Sequence, residues 1–156
     1  MSDGQDAQSK QREIQEYFYR IELIKSQLEA LTQQGEIFEL TTNEIMRAKE
    51  TLENIRNLES GKELLIPLGG DAFITASVSD VKKIMISVGA NTIIEKDTDG
   101  AIEMLDKRLG NLNQMNQNIL QGITNLQQQA EIMNQKIQQL SQELQGQVSK
   151  NVPESS

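Results

Sequence analysis

The sequence predicts a mainly α fold with a small β segment, in which a long antiparallel two-helix coiled-coil hairpin carries two β-hairpins between its helices. Large apolar residues recur at heptad spacing along the first and last thirds of the 156-residue chain, which is typical of coiled coils. Between these thirds the apolar period falls to two, which is typical of strands. Two glycine-containing turns interrupt this middle segment and divide it into hairpins.

The first arm, residues 8–60, carries one heptad seam. Its a series reads Ile14, Ile21, Leu28, Gly35, Thr42, Lys49, and its d series reads Tyr17, Ile24, Leu31, Phe38, Ile45, Leu52. Most of these side chains are large and apolar, so the seam needs a partner helix. Gly61 is expected to follow the end of this helix, because glycine readily adopts the left-handed conformation found there.

The segment 62–97 is predicted to form four strands, at 63–68, 72–78, 82–88 and 92–96. Gly69-Gly70-Asp71 and Gly89-Ala90-Asn91 are expected to supply the positive-φ residues that tight hairpins need. Pro67 has no amide hydrogen to donate, which places the first strand at an edge or at a bulge.

The second arm, residues 98–148, follows a cluster of helix-capping residues, Asp97-Thr98-Asp99. Its a series reads Ile102, Leu109, Asn116, Ile123, Ala130, Ile137, Leu144, and its d series reads Leu105, Leu112, Ile119, Leu126, Met133, Leu140, Gln147. Folding the two arms back on each other predicts that Gly35 lies close to Gly122. Residues 1–7 and 149–156 are expected to be flexible tails.

The predicted insert also predicts an oligomer. Four short strands leave sheet edges unpaired and cannot bury both of their faces alone, and a two-helix seam is a thin core. Both deficits are removed if several chains join their hairpins into a closed β-barrel. The apolar residues expected at this oligomer interface are Leu64, Ile66, Leu68, Phe73, Ile74, Val78, Ile84, Ile86, Val88 and Ile93.

Composition excludes several classes of function. The net charge of −8 and a longest basic run of only Lys82-Lys83 argue against nucleic-acid binding. The chain has no cysteine and no histidine, and it has no GxxxxGK[ST] loop, so we expect no catalytic residues, no metal and no cofactor. No apolar run approaches the roughly 20 residues of a membrane span, and no signal-peptide core is present, so we expect a cytoplasmic, non-enzymatic protein without membrane contact.

Three segments in the middle of the chain carry a resemblance to a known family: LLIPLGGDAFITASV (64–78), IMISVGANTIIEK (84–96) and DTDGAIEMLDKRL (97–109). Together they resemble the α-type subunit of prefoldin, as found in archaea. The residues that match the family pattern are Pro67, Gly69, Phe73, Ser87, Val88, Gly89, Glu95 and Lys96. Asp71 and Asn91 depart from it, since small residues or glycine are usual there, although both residue types tolerate left-handed backbone.

This resemblance implies a subunit of an ATP-independent molecular chaperone. Two α-type and four β-type subunits would form a barrel body with six coiled coils, and β-type subunits would contribute a single hairpin each. The coiled-coil tips would hold non-native client proteins and deliver them to a group II chaperonin. The alternative function is a coiled-coil scaffold or adaptor without chaperone activity, for which paired opposite charges at e and g positions would be expected.

Three consecutive aromatic residues, Tyr17, Phe18 and Tyr19, stand near the predicted open tip. One packed face cannot cover all three, because successive helical residues point about 100° apart. One interpretation is packing with an incidental surface tyrosine; the other is a client-binding surface, since exposed apolar patches mark interaction sites. The full set of candidate client-binding residues is Ile14, Tyr17, Phe18, Tyr19, Ile137, Leu140, Leu144 and Val148.

Overall fold

A computed structural model describes residues 2–150, with side chains from 4 to 146. Helix α1 spans Ser2–Ile55, strands β1 (Glu63–Gly69), β2 (Ala72–Ser77), β3 (Ile84–Gly89) and β4 (Thr92–Lys96) follow, and helix α2 spans Thr98–Lys150. The predicted fold class is therefore confirmed. The chain divides into two compact units: residues 2–36 with 116–150 form unit 1, and Ile37–Met115 forms unit 2.

Helix α1 starts and ends earlier than the predicted 8–60. At its start, Ala7 and Lys10 continue the heptad seam and are half-buried, and the Lys10 ammonium pairs with the Asp6 carboxylate at 3.1 Å. Sequence reading stopped at Ile14 because neither residue is large and apolar. At the other end, the Gly61 amide donates to the Val78 carbonyl at 2.8 Å, so this segment extends the first hairpin instead of the helix.

The burial pattern of both helices follows the predicted heptads. In unit 1, Ile21, Ile24, Ile119 and Ile137 are the buried apolar residues, all at a or d positions, and the other described a and d residues are half-buried. The positions between them are mostly exposed. This is the burial expected when two helices share one narrow seam, so most of the stabilisation of this unit comes from a single stripe of contacts.

The seam of unit 1 is antiparallel, but its register differs from the predicted one. Gly35 lies beside Asn116 and Ile119, and Gly122 lies beside Leu31, so the two glycines do not face each other. The shift amounts to about one helical turn. The heptad pattern specifies the buried face but not the register; each glycine here makes room for a larger side chain of the opposite helix.

Both β-hairpins are antiparallel, and they have the same strand pairing, the same bulge and the same kind of turn. Pro67 pairs with Phe73 and Gly69 with Ala72, so Leu68 is an extra residue, as Val88 is between Ser87 and Gly89 in the second hairpin. Each turn has positive φ at both central residues, Gly70 and Asp71 in the first and Ala90 and Asn91 in the second. These are the dihedrals of a tight hairpin turn, as the sequence predicts.

Strand β3 begins two residues later than predicted, at Ile84. The Asp80 carboxylate accepts a hydrogen bond from the Lys82 amide at 2.8 Å, which closes a local turn at 80–83. Helix α2 is capped as expected, because the Asp97 carboxylate accepts the Gly100 amide at 2.9 Å. In unit 2, an ion pair between Arg56, which follows α1, and Asp99 of α2 also connects these two segments.

The environments of the helical glycines predict different responses to alanine. A methyl group at Gly35 would contact Ile119 at 3.8 Å, and one at Gly110 would meet nothing within 4 Å. Gly35→Ala and Gly110→Ala are each expected to raise the free energy of unfolding by about 1 kcal/mol through helix propensity. Gly122→Ala is expected to gain less, because its methyl would lie 3.3 Å from Leu31 Cδ1, which must move.

Thermal unfolding of the three single variants checks this order of the increases in stability. Gly110→Ala measures the contribution of helix propensity alone. An increase for Gly122→Ala that equals or exceeds the increase for Gly35→Ala would contradict the register described here.

Candidate assembly and client-binding surfaces

The two hairpins expose a large part of their apolar side chains. Of the ten predicted interface residues, six are exposed: Ile66, Leu68, Phe73, Ile74, Val88 and Ile93. Leu64, Val78 and Ile84 are half-buried, and Ile86 is buried within its own chain. So many exposed apolar side chains on short two-stranded sheets indicate a surface that associates with other protein.

Each hairpin presents two faces, because successive residues of a strand point to opposite sides. We call one the isoleucine face; it contains Leu64, Ile66 and Ile74 in the first hairpin and Ile84, Ile86 and Ile94 in the second. We call the other the second face; it contains Leu65, Pro67 and Phe73 in the first hairpin and Met85, Ser87 and Ile93 in the second.

Sequence reasoning missed two residues of the second face. Leu65 is 70% exposed and Met85 is 63% exposed, which makes them the most exposed large apolar residues of β1 and β3. The sequence does contain a signal for this second apolar face, because ELLIPL and KIMISV do not alternate between apolar and polar residues. An unbroken apolar run of this length indicates a strand that is covered on both faces.

The aromatic triplet at 17–19 divides between the seam and the surface of unit 1. Tyr17 is half-buried at its d position, and its hydroxyl donates to the Glu13 carboxylate at 3.2 Å. Phe18 is 54% exposed and Tyr19 is 66% exposed. Leu23 is 48% exposed and lies one helical turn after Tyr19, on the same side of α1. The spacing of four residues between Tyr19 and Leu23 is the sequence signal that could have predicted Leu23 as a third exposed apolar residue beside Phe18 and Tyr19.

The other candidate client-binding residues belong to the seam. Ile137 is buried, and Ile14, Leu140 and Leu144 are half-buried. Val148 lies outside the residues whose side chains the structure describes. Among the described side chains of unit 1, the exposed large apolar residues are Phe18, Tyr19 and Leu23 on α1 and Leu120 and Ile132 on α2.

A charged cluster ties the two helices together near the chain ends. The Lys10 ammonium lies 3.1 Å from carboxylate oxygens of both Asp6 and Glu143. Hydrogen bonds to Asp6 and Glu143 raise the pKa of Lys10, and the bond from Lys10, aided by Gln139, lowers the pKa of Glu143. Because the pKa of Glu143 is depressed by folding, this carboxylate stabilises the folded state at neutral pH. That contribution is lost as pH falls through the folded pKa.

The cluster gives a direct prediction for the titration of Glu143. In the wild-type chain its carboxyl carbon, followed by NMR, is expected to titrate below the ordinary glutamate range. Lys10→Gln is expected to move that midpoint upward, and Lys25→Gln, which removes only the local pair with Glu22, is expected to leave it in place. An unchanged midpoint in Lys10→Gln would contradict the contact across the helices.

Neither a metal-binding cluster nor a membrane-spanning helix is found in the part of the chain that the structure describes. No three acidic side chains there come close enough together to hold a metal ion. Neither helix contains, within those residues, a segment long and apolar enough to cross a bilayer.

Long coiled-coil helices on either side of two β-hairpins with exposed apolar side chains indicate a protein that associates with other chains through its β segments. The family model described as "Prefoldin subunit" matches residues 24–143. The chain belongs to the prefoldin family, and it is thus a chaperone subunit.

Known relatives agree with the α type. The chain is 36% identical over 98 residues to "Prefoldin subunit alpha 1" of Thermococcus kodakarensis, covering 63% of this chain and 67% of that one. It is 29% identical over 136 residues to "Prefoldin subunit alpha" of Methanococcus aeolicus, covering 87% and 92%. A filamentous prefoldin from Methanocaldococcus jannaschii, solved by cryo-electron microscopy, has the same fold, with a TM-score of 0.65, 23% identity and coverage of 72% and 93%.

Proposed function

We propose that this chain is the α-type subunit of a holdase that binds non-native proteins without ATP. In this proposal two copies combine with four β-type subunits through their hairpins in the cytoplasm. The assembled complex delivers its clients to a group II chaperonin, and neither a cofactor nor a catalytic step is involved.

The observation that carries the proposal is the placement of the two apolar surfaces. The hairpin residues Leu65, Phe73 and Met85 are exposed in unit 2, whereas the aromatic residues Phe18 and Tyr19 are exposed in unit 1. Because the assembly residues and the client-binding residues lie in different units, the client-binding residues can stay exposed while the hairpins contact other subunits. Large apolar and aromatic side chains that stay exposed in a folded chain suit a partner that has no fixed shape.

Holding instead of refolding follows from the weak, non-directional nature of apolar contacts. One exposed aromatic pair per arm binds an unfolded segment weakly, but several arms that engage one client raise the avidity by factors of about 10² to 10⁴. No nucleotide is needed for such binding, because its driving force is the removal of apolar surface from water.

Light scattering of a chemically denatured protein tests the proposal. The chain assembled with a β-type prefoldin subunit is expected to suppress aggregation equally with and without ATP and Mg²⁺. An unchanged aggregation rate would contradict client binding and favour a scaffold that only dimerises. Suppression of aggregation that requires ATP would contradict the proposed independence of nucleotide.

A further inference from the structure

A row of uncharged residues follows the outer side of α2 in unit 1. Gln121, Asn125, Gln128 and Ile132 are spaced by four, three and four residues, so they share one side of the helix. They occupy the f and c positions of the heptad, which lie opposite the a and d seam. We call these four residues the amide patch. At 1.5 Å per residue it is about 16 Å long, which is the length of about five residues of extended chain.

The amide patch is open to a partner. All four of its side chains are exposed. In the part of the chain that the structure describes, the side-chain amides of Gln121, Asn125 and Gln128 make no hydrogen bond to another protein group, whereas those of Gln135 and Gln139 each donate to a glutamate. Each of the three amides of the patch therefore offers two N–H donors and one carbonyl acceptor to a partner.

The amide patch also lies in the segment of the chain that is poorest in charge. Glu131 is the only charged residue between Arg108 and Lys136, although 24% of the residues of the whole chain are charged and its net charge is −8. Charged surfaces attract partners of opposite sign and repel those of like sign. An uncharged surface on an acidic protein accepts partners of either sign.

We infer that the amide patch binds the backbone of extended, non-native polypeptide segments. The inference rests on the proposed function, and it names the chemical groups of the client that this helix contacts. An unfolded segment exposes an N–H and a C=O group at nearly every residue. The amides of Gln and Asn accept from the first and donate to the second, so the binding does not depend on the sequence of the client. Ile132, at one end of the patch, offers apolar surface to the side chains of the same segment.

A second copy of α2 is a poorer partner for the amide patch. Polar residues at the contact positions of a coiled coil lower its stability, whereas the seam of unit 1 contains the buried residues Ile119 and Ile137. Two chains that each carry a net charge of −8 also repel each other. Pairing of helices through the patch is therefore disfavoured, and an extended client segment is the partner that fits its hydrogen-bonding groups.

Removing the three amides without a change of charge tests the inference. The variant Gln121→Met, Asn125→Leu, Gln128→Met keeps the side chains close to their original size and makes the patch more apolar. The full chain with these changes is assembled with a β-type prefoldin subunit and loaded with fluorescent ribonuclease A whose cysteines are reduced and alkylated. We expect this client to dissociate about tenfold faster than from the wild-type complex, as when each of two copies of the chain loses one hydrogen bond. Binding by apolar contact alone would instead slow dissociation.

The variant Gln27→Met, Gln33→Met, Gln34→Met is the matched control. These residues are exposed amides of α1, and Leu31 between them lies beside Gly122, so they are at the level of the patch on the other helix. The control is expected to release the client at the wild-type rate. A synthetic peptide of Gly, Ser and Leu then identifies the client group. N-methylation of its backbone is expected to speed its release from the wild-type complex but not from the patch variant.

Three outcomes would overturn the inference while leaving the proposed function intact. The first is release of the client from the patch variant at the wild-type rate or more slowly. The second is an equal effect of N-methylation on both complexes. The third is self-association of the wild-type chain that the patch variant lacks, which would assign the patch to a second copy. Failure of the wild-type complex to retain the denatured client would instead overturn the proposed function, and this inference with it.

Discussion

Replacing Leu65 and Phe73 together by lysine is expected to abolish assembly with β-type subunits. Both side chains are exposed in the isolated chain, at 70% and 58%, so the substitution leaves the fold of the subunit intact. In the assembled barrel both would be enclosed, and burying an unpaired ion costs several kcal/mol even after relaxation. Since about 1.4 kcal/mol is a factor of ten, two such charges are expected to weaken association by about 10³ or more.

Native mass spectrometry of the mixed subunits measures this effect, and the chain offers a matched control. Ile37 and Leu40 on α1 are 60% and 66% exposed, so Ile37→Lys with Leu40→Lys makes the same change in charge at the same exposure. The control is expected to assemble as the wild type does. If the Leu65/Phe73 variant still forms complete complexes, the hairpins are not the assembly surface.

Replacing Phe18 and Tyr19 by serine is expected to weaken the retention of clients without affecting assembly. Both residues lie in unit 1, and neither belongs to the seam, so the melting temperature is expected to stay unchanged. Each arm loses only a small contact. Because the proposed complex contains two copies of this chain, a loss of about tenfold on each of its two arms multiplies to a decrease in client affinity of about a hundredfold.

The dissociation rate of a fluorescent unfolded protein from the assembled complex is the appropriate measurement. Leu40→Ser is the control, since Leu40 is as exposed as Tyr19, at 66%, but lies in unit 2. Equal retention by the double variant and by this control would assign the aromatic residues a packing role only. Tyr17 is left unchanged because its substitution would also disturb the seam.

The fold was predictable from the sequence because its elements have strong and different periods. Heptads identified both helices, and Gly69-Gly70-Asp71 and Gly89-Ala90-Asn91 identified both turns, where the structure has positive φ. Helix ends and register were less predictable. The pairing of Gly61 with Val78 is a contact between distant parts of the chain, and layers of Leu and Ile resemble one another when shifted by one turn.

The assembly surface could be predicted only in part. The two glycine turns and the β-branched residues correctly suggested apolar hairpins, but a strand that is apolar on both faces carries no sign of which face its own chain covers. Ile86 was therefore grouped with Ile66, although only Ile86 is buried within its own chain. In unit 1 the heptad reading separated Tyr19 from the seam, but it was not extended to Leu23, which also lies outside the a and d positions and is exposed one helical turn later.

The central claim is that one chain both assembles through its hairpins and holds a non-native protein in the assembled state. Native mass spectrometry of the chain, a β-type subunit and a denatured client, mixed without nucleotide, tests both parts together. The expected result is one species whose mass equals two copies of this chain, four β-type subunits and one client. Free client beside a complete complex, or client bound only to unassembled chains, would contradict the claim.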